Sequence, residues 1–184
     1  PGEQIKVVAQ AAAKAAFAAY KKIEFSDRLT LAAAEKDIML GVRKPTEAEL
    51  ARARALLEEQ KGAKDLKGMP AIYARETVLL SKYPDQVSAK MQAFRIGGLA
   101  IAAIPCEVFA EIGLDLKKRS PVKPMFTIEL ANGYNGYLPT PEQHRLGGYE
   151  TWRAPASYPQ TRASAKSPPP NLHLLQQVVP GKKT

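Results

Sequence analysis

The spacing of apolar residues first divides the chain into three helical segments. Residues 3–22 carry apolar side chains at intervals of three and four, which predicts an alanine-rich helix with one face for packing on a sheet. Residues 46–60 and 70–82 follow the same period. Thr46 and Glu49 have the spacing of a capping box, which indicates the start of the second helix.

Other apolar segments follow the period of strands. Residues 29–42 and 87–95 alternate between apolar and polar positions, and Leu99–Ile104 is an apolar run of buried-strand length. The pair Gly97-Gly98 separates the last two segments and is typical of a two-residue hairpin turn. We therefore expect these two segments to pair as antiparallel strands.

After the strand that Pro105 ends, the period indicates a helix over 108–118 and a further buried strand over Met125–Leu130. Regular patterning then disappears between Asn132 and Trp152. These elements together predict an α/β (α+β) fold, a mixed or antiparallel sheet with helices packed on it.

The last 31 residues differ in composition from the rest. Residues 154–184 are rich in Pro, Ser and Lys, which predicts a largely disordered tail after a folded part over 1–153. Within the tail, Leu172–Val179 is a short apolar patch that either docks on the folded part or stays free.

Charge and cysteine content narrow the function classes. The net charge is +9, but residues 151–184 hold five basic and no acidic residues, so a solvated tail explains the excess better than a nucleic-acid interface. The single cysteine, Cys106, excludes an intrachain disulfide and a thiolate zinc cluster. No apolar run is long enough to span a bilayer. Residues 1–22 lack a signal-peptide pattern, and a chain that begins at Pro is either processed or cut from something longer.

Three segments could carry chemistry. Glu107 follows a buried strand and precedes a predicted helix, where it either serves a site or stabilises the helix dipole. The loop Asn132–Pro141 combines two glycines with the polar side chains of Tyr134 and Tyr137, as functional loops and ordinary structured turns both do. Tyr149 lies in a third flexible and aromatic cluster, Gly147–Glu150.

Four segments in order resemble the neutral/alkaline non-lysosomal ceramidases. They are Phe94-Arg95-Ile96-Gly97-Gly98-Leu99-Ala100-Ile101, Pro105-Cys106-Glu107-Val108-Phe109, the stretch from Asn132 to Glu142, and Gly148-Tyr149-Glu150. The similarity runs over about 85–153 and does not cover the tail. It implies that the chain is the C-terminal part of a larger ceramidase-like catalytic domain, with a lipid amide as substrate and contact between the full protein and a membrane surface.

The resemblance also implies a zinc site. In that family two histidines, one glutamate and one tyrosine hold the metal, and Glu107 matches the glutamate. The tyrosine lies in a Tyr-x-x-Tyr element, so Tyr137 is assigned as the ligand and Tyr134 is the fallback. Tyr149 matches a second tyrosine that lines the catalytic site. Cys106 stands where the family usually has glycine, and Gly148 where it usually has a basic residue.

Histidine is scarce in this chain. His144 and His173 match neither of the family's ligand histidines, which lie upstream together with its active-site serine. The resemblance therefore implies that the Zn²⁺ ligands missing here belong to an upstream part of the same catalytic domain. A truncated, non-catalytic relative that acts as a binding or structural module remains the alternative.

Overall fold

The structure is a computed structural model, and it describes residues 2–61, 65–161, 163–164 and 170–181. Its elements in chain order are α1 (Gly2–Tyr20), β1 (Leu31–Gly41), α2 (Glu47–Glu59), α3 (Met69–Ser81), β2 (Gln86–Ile96), β3 (Leu99–Ala103), β4 (Glu107–Val108), α4 (Ala110–Arg119), β5 (Met125–Ile128), β6 (Tyr137–Leu138), α5 (Pro141–Leu146) and α6 (Pro170–Gln177). Two 3-10 turns, Tyr149–Thr151 and Pro155–Ser157, lie between α5 and α6.

A four-stranded mixed sheet organises the fold, in the order β1-β2-β3-β5. The first three strands are antiparallel neighbours, and β5 joins β3 in parallel. The predicted hairpin is confirmed, since Ile96 pairs with Leu99 across a turn in which Gly97 has a φ of 58°. The predicted α/β class, a mixed sheet with helices packed on it, is therefore confirmed.

Helix α2 begins where the sequence predicts. The Thr46 hydroxyl accepts from the backbone N–H of Glu49, and the Glu49 carboxylate accepts from the backbone N–H of Thr46. This reciprocal pair satisfies two N–H groups that the first helical turn leaves open. Leu50 and Ala53 form the buried side of the helix.

The expectation of a largely disordered tail is wrong for residues 170–181. Helix α6 buries Leu174 and Leu175 against the core face of the sheet. Its Asn171 amide donates to the carbonyl of Ala103 (3.2 Å), and the Arg95 guanidinium donates to the carbonyl of Val178 (2.6 Å). These side-chain bonds give the tail polar partners that its composition does not reveal. The predicted disorder at residues 162, 165–169 and 182–184 lies outside the described residues.

Helix α1 forms as predicted but does not pack on the sheet. None of its residues is buried, and side chains such as Ile5 and Phe17 are mostly exposed. An alanine-rich segment gains helix stability from intrinsic propensity, so its period does not require a packing partner. None of the helices in the described part of the chain has the length and apolar character needed to cross a membrane.

The sequence placed the helix after Pro105 two residues too early. Helix α4 begins at Ala110, and Glu107 with Val108 forms strand β4 instead. β4 pairs in parallel with β6, in the region where patterning was lost. Two-residue strands are too short for alternation to show, so periodicity could not predict this pair.

Helix α6 offers a direct test of the packed tail. We expect Leu174→Ala to lower the free energy of unfolding by about 2–5 kcal/mol, because it leaves a cavity in the core. The exposed neighbour Gln176→Ala is the control and should change stability by less than about 0.5 kcal/mol. Urea titration followed by circular dichroism measures both, and equal stability of the two variants would contradict the docked helix.

Candidate functional site

The parallel pairing of β3 and β5 brings two of the three candidate segments, the one at Glu107 and the loop Asn132–Pro141, to one edge of the sheet. Beyond the strands the pairing continues through backbone hydrogen bonds, from Ile104 N–H to the Ile128 carbonyl (3.0 Å) and from Leu130 N–H to the Cys106 carbonyl (3.0 Å). Parallel neighbours end at the same edge of a sheet. The residues that follow each strand are therefore held side by side.

Glu107 and Tyr137 are direct neighbours at this edge. They are register partners in the β4–β6 ladder, and the Glu107 N–H donates to the carbonyl of Gly136 at 3.0 Å. Adjacent strands lie about 4.8 Å apart. The fold thus brings together the two residues that the sequence assigned as metal ligands.

A buried asparagine fixes the loop before Tyr137. The Asn135 side chain donates to the Pro105 carbonyl (3.0 Å) and accepts from the Tyr158 hydroxyl (2.6 Å). Gly136 has a φ of 69°, and a Cβ there would lie 2.4 Å from the Ala156 carbonyl oxygen. Since only glycine fits this position without strain, the Asn-Gly pair sets where Tyr137 begins its strand.

Two tyrosines share the Glu107 carboxylate. The pKa of the Tyr137 phenol is raised by its hydrogen bonds to Tyr149 and to Glu107. Burial, the negative charge of Glu107 and a hydrogen bond to it raise the pKa of Tyr134. Both phenols therefore stay protonated near neutral pH. The choice between Tyr137 and Tyr134 as a ligand stays a prediction.

Tyr149 completes the cluster. Its hydroxyl lies 3.5 Å from the Tyr137 hydroxyl, and the two rings meet edge to face with centroids 5.7 Å apart. Tyr149 is 56% exposed, so it faces the open side of the site. The structure thus brings together all four residues that the sequence selected, namely Glu107, Tyr134, Tyr137 and Tyr149.

Two arginines that the sequence did not single out hold the segment that carries Tyr149. The Arg43 guanidinium donates to the Thr151 carbonyl (2.9 Å) and to the hydroxyl of Ser157 (3.1 Å). Arg153 pairs with Glu49 on α2. Burial and the charge of Arg153 lower the pKa of Arg43 to about 10. Arg43 lies more than a hundred residues from its partners in sequence, so no local motif could reveal its role.

A cleft opens beside Tyr149. It has a volume of about 600 Å³, and Met69, Pro70, Tyr73 and Trp152 form much of its apolar lining. The Tyr73 and Trp152 rings meet edge to face at 4.9 Å. Burial and then the charges of Glu76, Glu150 and Tyr149 raise the pKa of Tyr73. The volume is in the range of small-molecule sites.

The histidines lie elsewhere. Burial and the charge of Arg43 lower the pKa of His144, and its Nε2 is buried without a hydrogen-bond partner among the described residues. His173 is exposed on α6. Within the described ranges, no group of three or more His, Cys, Asp or Glu side chains is arranged to hold a metal ion.

The donor set therefore fits part of a zinc site. Glu107 and Tyr137 offer one carboxylate and one phenol, both oxygen donors that zinc accepts. Burial raises the pKa of the Cys106 thiol to about 12, so this neighbouring side chain is neither a thiolate ligand nor a nucleophile. Nitrogen donors would have to come from outside this cluster.

Comparisons with known proteins give a partial likeness in fold. No family model and no curated protein matches the chain. A solved structure described as a ceramidase complexed with C2 has a TM-score of 0.48 and 14% identity, covering 79% of this chain and 29% of that chain. The neutral ceramidase from Pseudomonas aeruginosa has a TM-score of 0.47 and 16% identity, with coverage of 79% and 27%. The chain thus spans less than a third of the length of either structure, and the likeness concerns the course of the backbone rather than the site.

The bond network around Glu49 predicts a pH-dependent stability. Hydrogen bonds from Thr46 and the pairing with Arg153 lower the pKa of Glu49 from its ordinary 4.5 to about 2. A group whose pKa is lower in the folded state than in the unfolded state stabilises the fold. This stabilisation is fully present at pH values above the unfolded-state pKa, and it is lost as the pH falls through the folded-state pKa. We expect Glu49→Gln to be less stable than the unmodified chain at pH 7, with the difference vanishing as pH falls from about 4.5 to about 2.

Urea titrations across this pH range measure the effect. Glu47→Gln, in the same helical turn, is the matched control and should show a smaller difference at pH 7. A Glu49→Gln difference that stays constant down to pH 2 would contradict the assigned bonds.

Proposed function

We propose that the chain is the C-terminal portion of a zinc-dependent amidohydrolase that cleaves the N-acyl amide bond of ceramide or a related lipid amide. One observation carries the proposal, which is the register pairing of Glu107 with Tyr137 and the contact of Tyr149 with that pair. These residue types occupy the positions that the sequence resemblance assigns to zinc binding and catalysis.

Within this proposal Glu107 and Tyr137 hold the metal, together with histidines from outside residues 1–184. Zinc, when bound, polarises the amide carbonyl and lowers the pKa of water so that hydroxide is accessible near neutral pH. Tyr134 lies near Glu107, whose charge raises the pKa of the phenol, and in this proposal its hydroxyl orients the carboxylate. Hydrogen bonds to ligand groups of this kind commonly tune metal sites.

Tyr149 has the position of a hydrogen-bond donor to the substrate. Its hydroxyl lies beside Tyr137, its ring is partly exposed, and Arg43 and Arg153 hold the following backbone in place. A fixed phenol can donate to the oxygen on which negative charge develops during attack on an amide. The cleft beside the turn Tyr149–Thr151 has Met69, Pro70, Tyr73 and Trp152 on its apolar side and Arg43, Glu49 and Arg153 among its other lining residues, which offers room for part of a lipid amide.

One observation favours a second candidate function, a non-catalytic binding or structural module. Neither His144 nor His173 contributes to the Glu107–Tyr137 cluster, and two oxygen donors leave zinc coordination incomplete. The two functions differ in whether the complete translation product of the reading frame hydrolyses lipid amides.

Activity of the complete product tests the ligand assignment. We expect Glu107→Gln and Tyr137→Phe to lower kcat/KM for a fluorogenic ceramide by more than about a hundredfold, since losing a ligand costs more than the ~10–100-fold loss of an outer partner. Tyr134→Phe is the matched control, because it removes a phenol that orients the carboxylate rather than a ligand. Its kcat/KM should fall less than that of Tyr137→Phe.

Thermal unfolding of each variant verifies that the fold is kept. Full hydrolysis by Glu107→Gln would show that this carboxylate is not a ligand. A larger loss in Tyr134→Phe than in Tyr137→Phe would exchange the roles of the two tyrosines.

A further inference from the structure

The cleft beside the turn Tyr149–Thr151 joins apolar and charged side chains in one lining. The Tyr73 and Trp152 rings, in edge-to-face contact, belong to its apolar part together with Met69 and Pro70. The charged lining residues are Arg43, Glu49 and Arg153. A ligand that matches such a lining has both an apolar part and a charged part.

The charges in this cleft do not cancel. Arg153 pairs with the Glu49 carboxylate. Arg43 instead donates only to neutral oxygens, which are the Thr151 carbonyl (2.9 Å), the Ser157 carbonyl and the Ser157 hydroxyl (3.1 Å). It forms no ion pair with any residue that the structure describes. The lining therefore holds one cation without a counter-charge.

The position of Arg43 makes this lack of a counter-charge costly. Arg43 is half-buried, and burial followed by the charge of Arg153 lowers its pKa to about 10. The Nε atoms of both arginines are buried without a hydrogen-bond partner in the described part of the chain, so guanidinium donors outnumber acceptors here. Buried charges in proteins are normally paired. An anion beside Arg43 supplies the missing charge and offsets the repulsion between the two guanidinium groups.

The size of the uncompensated charge defines the class of anion. Glu49 has a pKa of about 2 and is ionised near neutral pH, so two guanidinium groups and one carboxylate leave a single positive charge. His144 adds none, because burial and the charge of Arg43 lower its pKa. Guanidinium groups pair well with carboxylates. A head group with one negative charge balances the lining, whereas a phosphate monoester carries about two.

We propose that this cleft binds a single-chain amphiphile with one negative charge on its head, a carboxylate, which pairs with Arg43 while the chain lies on the apolar lining. The proposed function places part of a lipid amide in the same cleft without regard to charge. Preference for an anionic head is a separate property, since binding here requires neither zinc nor hydrolysis. It can therefore be measured without an activity assay.

Trp152 makes the cleft directly observable. It is the only tryptophan of the chain, and it is 45% exposed. An aliphatic chain laid against the indole displaces water and shifts its emission to shorter wavelength. We expect decanoate, titrated into the 184-residue chain near neutral pH and below its micelle concentration, to bind saturably at one site. Its affinity should exceed that of decanol about tenfold or more, because hydrogen bonds to charged groups are the stronger ones.

Three variants separate the head from the chain. Arg43→Gln should weaken decanoate binding about tenfold or more and leave decanol binding nearly unchanged, since it removes only the charge. Arg119→Gln is the matched control, because Arg119 pairs with Asp115 on α4 (3.0 Å) and does not line the cleft, and it should leave both affinities unchanged. Met69→Ser removes an apolar lining group that is 51% exposed, and it should weaken both ligands. Circular dichroism verifies that each variant is folded.

Each other result overturns the proposal. Equal affinities for decanoate and decanol would reduce the cleft to an apolar surface, and tighter binding of decyl phosphate would reject the singly charged head. An equal loss in Arg119→Gln and Arg43→Gln would assign binding to the net charge of the chain. The comparison of ligands on the unmodified chain and the Met69→Ser variant decide the matter if Arg43→Gln does not fold. Absence of saturable binding by both fluorescence and calorimetry would reject the site.

The binding result and the proposed function can fail separately. Tight decanoate binding together with full hydrolysis by Glu107→Gln would keep the anion site and reject the zinc ligand. Equal binding of decanoate and decanol together with an inactive Glu107→Gln would keep the ligand and reject the anion site.

Discussion

The parallel pairing of β3 with β5 is the constraint on which the candidate site depends. Ala100 pairs with Met125 and Ala103 with Ile128, so the two strands end together. Backbone bonds then carry the pairing past Pro105 to the β4–β6 ladder, where Glu107 and Tyr137 are neighbours. Residues 30 positions apart in sequence become adjacent because backbone hydrogen bonds, together with the bond from the Asn135 side chain to the Pro105 carbonyl, hold their segments together. The ends of parallel strands commonly serve as sites for this reason.

Long-range polar bonds complete this arrangement. Arg95 and Asn171 fix helix α6 on the core face, while Arg43 and Arg153 fix the turns that carry Tyr149. Guanidinium groups can bond several carbonyls at once, so a few of them order segments that lack regular structure. The fold thus uses backbone pairing for Glu107 and Tyr137, and side-chain bonds for Tyr149.

The parts of the fold that depend on local pattern could be predicted from sequence. The Thr46–Glu49 capping box and the Gly97-Gly98 hairpin each have a local physical cause, and both are present. The site residues were selected through motif resemblance, and the structure brings all four of them together. Their roles stay predictions, because proximity does not establish metal binding.

Long-range features could not be predicted. Composition indicated disorder where α6 packs. The short apolar segment of α6 is stabilised by contact with the sheet, and its own sequence does not encode that contact. The helical period of residues 3–22 predicted helix α1 correctly. It could not show whether the helix packs on the sheet, and none of the residues of α1 is buried. Strands β4 and β6 have two residues each, which is below the length at which alternation is visible.

The zinc content of purified protein tests the central claim most directly. The account predicts close to one zinc per molecule in the complete translation product, as measured by plasma mass spectrometry after gel filtration. It predicts almost none in the 184-residue chain, since Glu107 and Tyr137 provide only two ligands. Stoichiometric zinc retained by the 184-residue chain, and also by its Glu107→Gln variant as long as that variant is folded, would contradict the account.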